Sequence, residues 1–192
     1  MGNSYYISCM SLHKDPELKE AVLQLPPKEK DKLLVRLISK DKMLIKQLHY
    51  QLLEDEYDLA DRITALRERL NNLFSPARSG IQNIAMYSNY KSLTALLRQA
   101  SGMINEHEKI TKDKYSEVEF RLLILGLAFE HHPILFQKSY VSISDKLHRY
   151  VAARIKSTFN KYDKLHEDLQ FDLKELYDKV QLFANDHPQL SQ

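Results

Sequence analysis

The sequence predicts an all-α protein. Glycine numbers only four in 192 residues and tryptophan is absent, whereas Leu, Lys, Glu, Gln and Ala, which tolerate helix interiors well, are plentiful. Apolar residues recur at spacings of three and four along most of the chain, the period of a helix with one buried face. A β-rich chain of this length needs many more turn glycines.

Asp15-Pro16 opens the first helix, because Asp caps free amides and Pro at the first helical position loses no needed N–H. Leu18, Val22 and Leu25 give it an apolar stripe, and Pro26-Pro27 ends it and starts the next. The second helix carries Leu33, Leu34, Leu37 and Ile38. Asp41 caps a third, with Leu44, Ile45, Leu48 and Leu52 expected inward. Over 18–53, short helices joined by Pro-Pro and by Ser39-Lys40-Asp41 resemble the helical pairs of HEAT or armadillo solenoids, although no strict repeat is present.

Leu59, Ile63, Leu66, Leu70 and Leu73 form a heptad seam in a fourth helix. Two heptads are too short for a coiled coil, so the seam is read as one face of a bundle core. Ser75-Pro76-Ala77-Arg78-Ser79-Gly80 is the strongest loop signal. A helix is expected to resume near Lys91, with Leu93, Leu96, Leu97 and Ala100 apolar. Asp113 opens the next helix, which is apolar nearly all round between Leu122 and Phe129 and is therefore predicted to be central. Pro133 ends it. One long helix is expected over 134–159, carrying Ile143, Leu147, Val151 and Ile155. The last helix carries Tyr162, Leu165, Leu169, Leu173, Leu176, Val180 and Phe183, and Pro188 stops it.

These elements imply a flexible N-terminus (1–14), an N-terminal helical subdomain (15–75) and a C-terminal helical bundle (81–188), the last two packed as one unit. The architecture is an irregular multi-helix bundle or a short HEAT/armadillo-like stack of antiparallel helical pairs.

Composition narrows the function. Cys9 is the single cysteine, which leaves no pair for a disulfide and suits a cytoplasmic protein. No run of about 18 apolar residues suggests a membrane span. Residues 1–6 lack the cationic and apolar regions of a signal peptide, Tyr6-Ile7-Ser8-Cys9 only faintly matches a lipoprotein cleavage box, and Met10 is a possible start. Four glycines cannot write a phosphate loop or a dinucleotide fingerprint, and there is no Gly-x-Ser-x-Gly elbow. No catalytic, cofactor or metal residues are assigned.

His131 and His132 lie beside Glu130, but helix neighbours diverge by about 100°, and a helix C-terminus favours His in any case. Asp-Lys-Leu-His occurs twice, so Asp145, His148, Asp163 and His166 form two i, i+3 pairs of the kind used in helical metal enzymes. In one continuous helix the copies would stand about 27 Å apart, too far for one ion.

Charge says more. Residues 28–46 and 132–162 are basic, and each is followed by an acidic stretch, a pattern that antiparallel packing explains without an outside partner. Lys146, Arg149, Arg154 and Lys156 are nevertheless candidate phosphate or nucleic-acid contacts. From Asn71 to Asn105 there is no acidic residue. Arg78, Tyr87 and Tyr90 in that segment are candidate anchors of a protein interface, since Tyr and Arg are enriched there and acids depleted. The expected function is a non-catalytic helical scaffold or adaptor that binds another protein or itself. A nucleic-acid-associated protein and, further off, a metal-dependent helical-bundle enzyme are the alternatives.

Overall fold

The computed structural model describes residues 14–190, which contain nine α-helices and no strand. The expectations for Tyr6 to Cys9, Met10 and the first thirteen residues lie outside the described part. The chain divides into two compact units, Met1–Leu48 and His49–Gln192.

The described part of the first unit holds α1 (Pro16–Leu23), α2 (Pro27–Ile38) and most of α3 (Lys42–Leu53). Its caps are those the sequence announces. Asp15 accepts from the Leu18 amide at 3.0 Å, and Asp41 accepts from those of Met43 and Leu44 at 2.8 and 3.1 Å. No residue of these three helices is buried. Leu34, Leu37, Ile45 and Leu52, expected inward, are exposed, while Leu33, Ile38, Leu44 and Leu48 are half-buried. A unit this small has too little chain to enclose a core.

The second unit is an irregular bundle. Glu54, between α3 and α4 (Glu56–Phe74), accepts a bidentate bond from Arg62 and a 2.7 Å contact from His49. The Arg62 hydrogen bond holds its carboxyl down at about 2. A reciprocal box of Asp55 and Asp58 caps α4. Leu66 and Leu70 of the heptad seam are buried, and Leu59, Ile63 and Leu73 are half-buried, so the seam is one face of a bundle core. Ser75 follows it, then the single turn α5 (Pro76–Ser79) and Gly80, whose φ of 60° suits a residue without Cβ. This loop lies inside the second unit, because α4 packs against α6 (Tyr87–Thr111) and α7 (Lys114–His131) on the far side of it.

The central helix is α7, which packs against α4, α6, α8 (Ser144–Tyr162) and α9 (Glu167–Asp186). Its Leu122, Leu125, Ala128 and Phe129 are buried, as the all-round apolar run predicts. At its first turn the buried Glu117 meets Arg121 at 2.8 Å and Lys161 of α8 at 3.0 Å. Burial raises this carboxyl and the Lys161 and Arg121 hydrogen bonds outweigh it, leaving it below its ordinary value.

The single helix expected over 134–159 does not form. Pro133–Phe136 makes one 3-10 turn, an irregular stretch follows, and α8 begins only at Ser144. Local bonds take over from the helical ladder: Ser139 Oγ accepts from the Val141 amide at 3.2 Å, and the Ser144 amide bonds the Val141 carbonyl at 2.8 Å. At the other end α8 runs on to Tyr162, so Tyr162 belongs to it rather than to α9.

Candidate functional site

Two surfaces of the second unit hold the residues that the sequence singles out as candidates. The first follows Gly80. Ile81 is buried and anchors the chain, Asn83 Oδ1 accepts from the Ile134 amide at 3.0 Å, and Asn89 Nδ2 donates to the Ile84 carbonyl at 3.0 Å. With the backbone tied in this way, Ile84, Met86 and Tyr87 turn outward at 51%, 51% and 58% exposure. The Asn83 bond sets Ile134, 39% exposed, beside them. Arg78 is exposed on α5.

Tyr90 does not join this surface. It is 0% exposed and continues the inward row of Leu93 and Leu97 on α6. The reason is the helix start: α6 begins at Tyr87, not near Lys91, so Tyr90 already stands on a regular core-facing turn. Its hydroxyl is buried without a hydrogen-bond partner. Ile84 and Met86 are exposed apolar residues that the sequence does not single out. Their signal was three apolar residues within four positions of an acid-free, non-periodic segment.

The second surface is the outer side of α8. Lys146, Arg149 and Lys156 are exposed on it. Arg154 is not one of the group: five residues on from Arg149 it turns away, and its guanidinium lies over the Tyr150 ring at 5.4 Å. Arg98 of α6 approaches the same ring at 5.5 Å, and Arg154 Nε is buried with no hydrogen-bond partner. Lys138, in the irregular stretch before α8, stands with Arg149 around one cavity.

The two Asp-Lys-Leu-His copies stay apart. Asp145 is in the first turn of α8 and Asp163 directly follows its end, about 27 Å away along a continuous helix. His148 is buried and its Nε2 donates to the Leu135 carbonyl at 2.9 Å, while the exposed His166 accepts from the Asp168 amide at the start of α9. His132 lies in the interior after α7, with both ring nitrogens unpartnered, and burial, then the neighbouring His131, holds it below its ordinary value. Among the described residues no group of three or more His, Cys, Asp or Glu could hold a metal ion, and no helix is long and apolar enough to cross a membrane. Comparison with known proteins brings no match: no family model matches the chain, nor does any curated protein or solved structure.

Proposed function

We propose that this chain is a non-catalytic helical module that binds another protein, or a second copy of itself, through the surface around Tyr87. The observation that supports it is the group of Ile84, Met86 and Tyr87, each more than half exposed, beside Ile134. Side chains of this kind make the central contacts of protein interfaces, and the surrounding segment lacks the acidic residues that interfaces disfavour. Arg78, exposed on α5, is the cation that this reading assigns to the interface.

The test is a photo-crosslinking residue placed at position 87 in the producing cell, with the exposed outer position of Glu68 on α4 as control. A discrete adduct at position 87, absent at 68, is the expected result. Light scattering then tells a second copy from a different protein. Replacement of Ile84 and Met86 by Ser should remove the adduct while leaving the helical circular dichroism unchanged. Equal labelling at 87 and 68 would overturn the proposal.

A further inference from the structure

The outer side of α8 carries a second binding feature, separate from the Tyr87 surface. Two cavities share Arg149 as a common wall. One, of about 620 Å³, is lined by Lys138, Ser144, Asp145, His148 and Gln189 besides Arg149. The other, of about 560 Å³, runs from Arg149 past Ala152, Ile155, Lys156 and Phe159 to Leu190.

The rim is positive. Lys138, Arg149 and Lys156 are exposed and none makes an ion pair with another described residue, and Asp145 is the one carboxylate among the described lining residues of both cavities. Arg149 spends its Nε on the Asp145 main-chain carbonyl at 3.3 Å, and among the described residues its two terminal NH2 groups have no partner. Ser144, 1% exposed, lines the first cavity. The floor is apolar: Ala152, Ile155 and Leu190 are 8%, 6% and 3% exposed. Seven residues of helix separate Arg149 from Lys156, about 10 Å.

We propose that this groove takes an acidic segment of a partner protein. Two of its carboxylates, about 10 Å apart, would meet Arg149 and Lys156, and apolar residues between them would rest on the Ala152–Ile155 floor. Charge complementarity selects the acidic partner. A nucleic-acid strand suits the groove less, because such strands need open aromatic faces to stack on. Tyr150 is approached by two guanidinium groups, and Phe159 lies against Tyr177 with ring centroids 4.3 Å apart.

A displayed library of random dodecapeptides, selected on the full chain and counter-selected on its R149E/K156E variant, tests this. The expected outcome is enrichment of peptides with two acidic residues flanking apolar ones. Fluorescence anisotropy of the best peptide should show affinity falling about tenfold or more in R149E/K156E. A153Y, which keeps the charges and fills the groove at a lining residue, should weaken binding as well. Circular dichroism and a thermal melt establish that both variants are folded. Failure to enrich acidic peptides, affinity within twofold in both variants, or tighter binding of a twenty-nucleotide thymidine strand at the same salt would each overturn the proposal. The Tyr87 reading survives any of these results, since none touches its residues.

Discussion

At His132 two ring nitrogens are enclosed without a hydrogen-bond partner, a costly arrangement for a polar group. Burial also holds His107 below its ordinary value, although its Nε2 keeps a 2.9 Å contact with Ser116. Both imidazoles bind protons more readily in the unfolded chain than in the folded one. Their neutral forms therefore favour the fold fully above the unfolded value near 6.5, and that contribution is lost as pH falls below it toward the folded values. Melting temperature should thus decline between pH 7 and 5, above the range where Glu54 and Glu117 begin to protonate. His132→Leu should raise stability at pH 7 by about 1 kcal/mol and flatten part of the decline. Thermal melts across that range check it, and an unchanged slope in the variant would count against the account. Tyr90 teaches a related lesson. A tyrosine in a polar, acid-free stretch reads as a surface anchor, and only the position of the helix start reveals that it faces inward.

Elements differ in how plainly the sequence displays them. The central position of α7 was legible because its apolar residues cover every side, and α4 because its seam repeats over two heptads. Asp15, Asp41 and Asp113 each cap the helix they were expected to open. The break before α8 was hidden. Ile143 keeps the helical spacing of four with Leu147, Val151 and Ile155, while serine bonds between neighbours decide the backbone, and these have no apolar period to display. The end of α6 was equally silent. Lys112 closes that helix with φ 60°, the one non-glycine residue in this region of backbone space among those described. An L side chain there costs about 1–2 kcal/mol, so Lys112→Gly should stabilise the protein by about 1 kcal/mol. Chemical denaturation checks this through a higher midpoint at an unchanged slope.

Across the molecule, protection is expected to be uneven. The helices α1 and α2 contain no buried residue, whereas α7 is packed by four other helices. Amide hydrogens of α1 and α2 should exchange orders of magnitude faster than those of Leu122 to Phe129, as measured by hydrogen–deuterium exchange. Similar protection in both would mean that the first unit is held by something other than its own core. Periodicity announced helices in both units, more exactly in the first. It could not announce which apolar faces would be covered, because Leu34 and Leu70 look alike in sequence and differ only in what surrounds them.

The middle of the chain supplies the helix that the others need, and this has a consequence for a molecule made from one end. When α4 and α6 leave the ribosome, the core faces bearing Leu70 and Leu97 have no α7 to close against. They stay open until residues through His131 have emerged, and α9 must follow before the far side of α7 is covered. For that interval the nascent chain displays more apolar surface than the finished protein ever will, which makes the pace of translation between residues 87 and 131 part of what protects it from misassociation.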